Sequence, residues 1–324
     1  MGKSQKFTNV NEQIQLLTDR GLKFQNLKTA KNYLIYYGYF NVINGYKDLY
    51  INKKTDESGN EIEQYKDSVF FEEIVSLYNF DRTLRKEMMG IIIDIEIHLK
   101  SVLSYVLGEN FTSDQNSYLS ISQYKNNYAS KKTDSLQNTI QSILDTINSS
   151  NKNPIKYHRD KYNNVPPWVA FKEVYLSTTI NLIKFLIEKQ KNELVAMFYG
   201  IDINTFNSLK QEDQKAIKEF FMISIKMIKE YRNACAHGDR IYNYKPKNLF
   251  YYNGFKILSK TINISHNYQK PITGLEYLVI AFSCLNLSYD NYIINNIQMT
   301  INQHQIAYPN FIENIKNTIG KQLF

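Results

Sequence analysis

The chain has 324 residues, 43% of them hydrophobic, with 39 Lys and Arg against 31 Asp and Glu for a net charge of +8. That hydrophobic fraction excludes a disordered chain and allows either two modest domains or one large helical one. Two cysteines, Cys235 and Cys284, exclude a disulfide scaffold and a structural zinc site, and no uninterrupted apolar stretch reaches the length of a membrane span. The start, Met1-Gly2-Lys3-Ser4-Gln5-Lys6, lacks a hydrophobic signal core, so the expected location is the cytoplasm. The basic balance favours an anionic partner, and RNA is the commonest one there.

Scarce proline and long runs of apolar residues three and four apart predict a mainly α fold. Leu27 to Tyr50 reads as one or two short Tyr-rich helices ending at Gly38 and Gly45, and Asn52 to Gln64 as a polar loop. From Phe70 to Leu107 an apolar stripe through Ile74, Leu77, Leu84, Met88, Ile92, Ile95, Leu99 and Leu103 predicts a long helix, with room for a kink near Asn79 to Asp81. Residues 112–165, rich in Ser, Asn, Lys and Tyr, read as a polar insertion or connector with one amphipathic piece at Leu136 to Ile147. Pro166-Pro167-Trp168 opens a helix running to Lys189 that is apolar on almost every side. A further helix spans Glu212 to Ala236 and stops at Gly238. Tyr251 to Phe255 is the one good hairpin signal, and helices near Gly274 to Tyr289, Tyr292 to Gln303 and Asn310 to Ile319 close the chain. The segments are therefore 1–66, 67–111, 112–165, 166–244 and 245–324.

The Glu212 helix ends on Arg232-Asn233-Ala234-Cys235-Ala236-His237. An imidazole moves protons near neutral pH, a guanidinium holds a phosphate bidentately, and an amide orients either, so these residues could cut RNA without a metal. On an ideal helix Ile217, Phe221, Ile225, Ile228 and Cys235 form the apolar stripe and Arg232 lies on its border. Asn233 and His237 point roughly 100° and 140° further round, beside Lys226 and Lys229. Arg232 and His237 thus converge on one phosphate only if the helix frays, the Arg bends across, or two subunits contribute. The plainer reading is a helix C-terminus carrying favourable charges.

On the Phe70 helix, Asp81, Arg85 and Glu96 project to within roughly 60° of one another, in a sector shared with Ile92, Leu99 and Leu103. Charges placed there must pair, with one another or with a group opposite, and Arg232 is the expected partner of Glu96. His98 falls on the other side and is expected in solvent. His158 lies in the basic stretch Lys156 to Lys161, where Lys156 and Arg159 are candidate phosphate contacts, although a charged solvated loop is the better reading. His266 and His304 have no companions at metal-ligand spacing. A P-loop, a dinucleotide-binding Gly motif, a Gly-flanked nucleophilic Ser and a zinc-deaminase pattern are all absent.

Four blocks together resemble the bacterial abortive-infection family typified by the AbiD and AbiF proteins. They are Leu34-Ile35-Tyr36-Tyr37-Gly38-Tyr39, Phe80-Asp81-Arg82-Thr83-Leu84-Arg85 with Ile95-Glu96, Pro166-Pro167-Trp168-Val169, and Arg232 to His237 with Arg240 and Asn243. The likeness runs from Leu16 to Tyr244. That family is similar to HEPN-domain proteins, helical bundles in which an Arg, a following polar residue and a His form a metal-independent ribonuclease site, usually across a dimer. The resemblance implies a HEPN-like bundle with extra N- and C-terminal helices, a phage-defence role, a homodimer, no cofactor, and catalytic Arg232, Asn233 and His237. Asp81, Arg85, Glu96, Arg240 and Asn243 would support the site, and Lys226, Lys229, Lys156 and Arg159 would hold RNA. The alternative is a protein that binds a structured or regulatory RNA without cutting it. A DNA-binding regulator fits less well, because Leu27 to Tyr50 lacks a basic recognition helix.

Overall fold

A computed structural model of the chain describes residues 7–55, 59, 61–125, 135–247, 251–264, 268–285, 289–309 and 312–324. The opening six residues and His266, read above for targeting and for metal ligands, lie outside them. The elements run α1 (Val10–Asp19), α2 (Leu27–Tyr37), β1 (Ile51–Thr55), β2 (Glu61–Tyr65), α3 (Phe71–Phe111), α4 (Gln115–Tyr118) and α5 (Leu136–Ser149). There follow α6 (Ile155–Tyr162), α7 (Pro167–Ala170), α8 (Leu176–Phe185), α9 (Glu188–Phe198), α10 (Ile203–Ser208) and α11 (Gln211–His237). The chain ends with α12 (Tyr252–Thr261), α13 (Gly274–Ser283), α14 (Tyr289–Ala307) and α15 (Ile312–Ile319). It is mainly α, and among the described residues no helix is long and apolar enough to cross a membrane. The fold divides into two compact units, one of residues 1–87, 238–244 and 294–324, the other of residues 88–237 and 245–293.

In the first unit α1 starts in a capping box: Asn9 Oδ1 accepts the Asn11 and Glu12 amides, while Glu12 accepts the Asn9 amide at 2.7 Å. α2 ends at Gly38, whose φ of +83° suits a residue without a Cβ. The segment read as a polar loop is instead an antiparallel hairpin, with Ile51 paired to Tyr65 and Lys53 to Glu63. Apart from half-buried Ile51, β1 is exposed, so the hairpin shows no apolar alternation. It is tied at its base instead, where Tyr65 N–H donates to Arg20 O at 2.8 Å, Lys66 N–H to Tyr50 O at 2.9 Å, and Glu63 pairs with both Arg20 and Lys47. α3 runs without a break through Asn79 to Asp81. Ile74, Leu77, Ile297, Ile301, Ile315 and Ile319 are buried in this unit.

His304 is buried here too, its Nδ1 2.7 Å from Ser76 Oγ. Burial pushes its pKa down to about 4. A depressed folded-state value means that the neutral imidazole contributes stability in full above the unfolded value near 6.5. That contribution is lost progressively as the pH falls toward 4. His304→Gln is therefore expected to flatten the loss of stability between pH 7 and 4.5, by up to about 3 kcal/mol. Equilibrium denaturation of both proteins across that range checks it, and parallel profiles would refute it.

In the second unit α11 carries the core on Ile217, Phe220, Phe221, Ile225, Ile228 and Tyr231. α12 crosses it at Gly254, where a Cβ would come within 2.4 Å of Ala216 O and 2.6 Å of Phe220 Cβ. Tyr251 to Phe255, expected as a hairpin turn, is instead the start of this helix. Its glycine serves close helix approach, and Phe255 packs against Phe220 with ring centroids 6.1 Å apart. Residues 112–165, expected as a polar insertion or connector with one amphipathic piece at Leu136 to Ile147, hold α4, α5 and α6, and α5 is that piece. α5 buries Leu136, Ile140, Ile143 and Ile147 on one face, Tyr118 is buried as well, and Ser142 meets Thr178 of α8 at 3.2 Å. The helix expected to run on from Pro166-Pro167-Trp168 to Lys189 is broken into α7, α8 and the first residues of α9, with residues 171–175 and 186–187 between them.

Candidate functional site

α11 opens on Glu212 and Asp213 and closes on His237, charges that suit the helix dipole at each end. Gly238, at φ +76°, terminates it. The helix is regular through the motif, so Arg232 is half-buried while Asn233 and His237 are exposed. Asn233 and His237, four residues apart, share a face. Arg232 and His237, five apart, diverge by about 140° within one chain. The apolar stripe ends on Tyr231 and Ala234, and Cys235, expected on it, is half-buried.

Arg232 and Asn233 open into a cavity of about 350 Å³. Lys229 comes from the same helix, Glu96 and Lys100 from α3, and Lys172 and Glu173 from the loop after α7. Glu96 thus faces the same cavity as Arg232, but its ion pair is with Lys100, one turn along α3, at 2.6 Å. The expected Glu96–Arg232 pair is not formed, because the i,i+4 lysine already lies over the carboxylate. Among the described residues Lys172, Lys229 and Arg232 have no carboxylate partner. The cavity therefore presents unneutralised positive charge, the requirement for holding a phosphate. Lys100 and Lys172 were missed in the sequence. The spacing of Lys100 from Glu96 was a usable signal, whereas nothing local marks Lys172.

The other expected RNA contacts lie elsewhere. Lys226 lines a separate cavity of about 850 Å³ together with Lys191, Lys215 and Lys218. Lys156 is exposed on α6. Arg159 is occupied: its guanidinium donates to the carbonyls of Ile147, Asn148 and Ser150 at 2.7–3.0 Å, satisfying the C-terminus of α5. His98, expected in solvent, is half-buried with its ring 5.0 Å from that of Phe198 and Nε2 3.0 Å from the Phe198 carbonyl.

In the first unit Asp81 and Arg85 pair with each other, one of the two outcomes their shared sector allows. Asp81 is fully buried. Its carboxylate accepts the Tyr46 hydroxyl at 2.6 Å, the Tyr242 amide at 2.8 Å, the Ile241 amide at 3.1 Å and the Arg85 guanidinium. Burial raises its pKa from the ordinary carboxylate value, against the opposing pull of Arg85 and the other donors. Arg85 also donates to the Asp239 carbonyl at 3.3 Å. The pair fastens the backbone of residues 239–242, the stretch that follows the motif. There Arg240 reaches Asp48 at 3.0 Å, and Asn243 is half-buried.

The protein is thus mainly α, with Arg232 and Asn233 at the end of α11 lining a cavity that also holds Lys100, Lys172 and Lys229, and with His237 exposed one turn further on. Residues 32–243, well over half of the chain, match the family model of Abi-like proteins. The chain belongs to that family, whose membership supports a role in abortive infection, a form of phage defence. No curated protein and no solved structure is a match.

Proposed function

We propose that the protein is a metal-independent endoribonuclease of phage defence, in which Arg232, Asn233 and His237 act on an RNA phosphodiester. The observation that carries this reading is Arg232 in a cavity with unneutralised positive charge, five residues before an exposed His237 on the same helix. His237 acts as general base toward a ribose 2′-hydroxyl or as general acid toward the leaving 5′-oxygen. Arg232 stabilises the charge that develops on the phosphorane, and Asn233, on the face of His237, orients the imidazole or the phosphate beside it. The 140° divergence means that one chain does not aim both groups at one phosphorus, so the proposed site is composite, built from two copies in a homodimer.

The same divergence favours, as the second reading, a protein that binds RNA on the cation-lined cavity without cutting it. Incubation of the purified protein with total RNA separates the two. The expected result is cleavage that persists in EDTA and leaves 2′,3′-cyclic phosphate ends. Binding without cleavage selects the second reading, and abolition by EDTA overturns the metal-independent mechanism.

A further inference from the structure

Next to the cation-lined cavity lies a larger one of about 780 Å³, and the two share Glu96, Lys100 and Lys172. Its remaining wall is mostly apolar and aromatic: Ile93, Ile97, Tyr105, Trp168 and Phe171. Single exposed apolar side chains are ordinary on a protein surface. Here four line one cavity, with Ile97 61%, Tyr105 56%, Trp168 53% and Ile93 45% exposed. A concentration of this kind marks a binding site.

Trp168 is held in place. It follows Pro166 and Pro167 at the first turn of α7, where fixed φ angles restrict the backbone. Its ring lies on α3 at Gly108, where a Cβ would come 3.3 Å from Cζ3. Ser104, one turn before Gly108, donates to the Lys100 carbonyl at 2.7 Å and lies 3.4 Å from the Pro167 carbonyl. The indole is thus held against the α3 backbone at Gly108 while about half of the residue stays exposed, which leaves aromatic surface for a flat ring to stack on.

A flat aromatic ligand with a negative charge one bond network away satisfies both cavities at once. We propose that the Trp168 cavity is a nucleobase subsite for single-stranded RNA, the base stacking on Trp168 beside Tyr105 while the adjoining phosphate sits among Lys172, Lys229 and Arg232. It rests on the RNA reading above for the identity of the polymer, and it names the form recognised, since a base already stacked in a duplex has no free face to offer.

Trp168 is the one tryptophan of the chain, so its fluorescence reports this cavity alone. The experiment titrates the full chain carrying His237→Ala, to prevent turnover, with a single-stranded oligoadenylate, a duplex RNA of equal length, and an abasic strand. Quenching by the single strand only is expected. Trp168→Ala and, separately, Tyr105→Ala should weaken single-strand binding, measured by anisotropy of a labelled strand, by about tenfold or more for Trp168. Unchanged affinity in both variants, or equal quenching by the abasic strand, overturns the subsite. So does a protein-concentration-dependent emission change without RNA that tracks a rise in sedimenting mass, because a second copy then covers the cavity. Failure of the ribonuclease reading looks different: wild type that binds through Trp168 but leaves the strand intact keeps the subsite and loses the catalysis.

Discussion

His237→Ala is expected to lower RNA cleavage by about 10²- to 10⁴-fold, the contribution typical of a positioned acid or base. The side chain is exposed, at the last position of α11, and packs into no core. Its removal should therefore change stability by no more than about 0.5 kcal/mol, so the loss of activity is separable from unfolding. Arg232→Lys is the sharper companion, because it keeps the charge in the cavity and removes the planar fork that grips a phosphate. A composite site adds a further outcome. Mixing inactive His237→Ala with inactive Arg232→Ala should restore part of the activity, since a mixed dimer holds one site with both groups intact. Wild-type cleavage by His237→Ala would end the catalytic assignment, and no recovery on mixing would end the composite arrangement.

Asp81→Asn is expected to destabilise the protein by about 3–5 kcal/mol. The substitution is nearly isosteric, so packing is not the cause. It leaves the guanidinium of Arg85, with its side chain 10% exposed, without a counterion. It also turns an amide NH₂ toward a site built from donors, the Tyr46 hydroxyl and the Ile241 and Tyr242 amides. Replacing both partners, as Asp81→Asn with Arg85→Met, should recover part of the loss, because the unpaired buried charge is then removed. Urea denaturation of the unaltered protein and the two variants measures this. A loss below about 1 kcal/mol for the single change would show that water reaches Arg85 and that the pair is not the fastening inferred from its burial.

Periodicity alone located α3 and α11, because each repeats its apolar residues at helical spacing over many turns, and it also placed the shorter closing helices near their observed positions. The border position of Arg232, and the outward position of Asn233 and His237, followed from the same repeat. Periodicity failed where a partner outside the segment decides. The hairpin of β1 and β2 has no apolar face and is held by Glu63 and by backbone bonds at its base. Tyr251 to Phe255 carries an Asn-Gly pair that signals a turn, yet Gly254 is there to let α12 touch α11. In the Ser- and Asn-rich stretch the apolar repeat did mark Leu136 to Ile147, which is α5, and missed the short α4 and α6, whose apolar residues are few.

The sequence by itself determined which residues sit on which side of each long helix, that Asp81 and Arg85 must find partners there, and which family the chain resembles. These follow from the pitch of a helix and the cost of burying a charge. Only the tertiary structure decided that Glu96 belongs to Lys100 and leaves Arg232 available, that Arg159 closes a helix end, and that Lys172 and Trp168 reach the cavities beside the motif. The Lys100 pairing was open to a local i,i+4 reading, but its competition with Arg232 and the other outcomes depend on which groups from other elements reach a charge or an open carbonyl, and no local repeat encodes that.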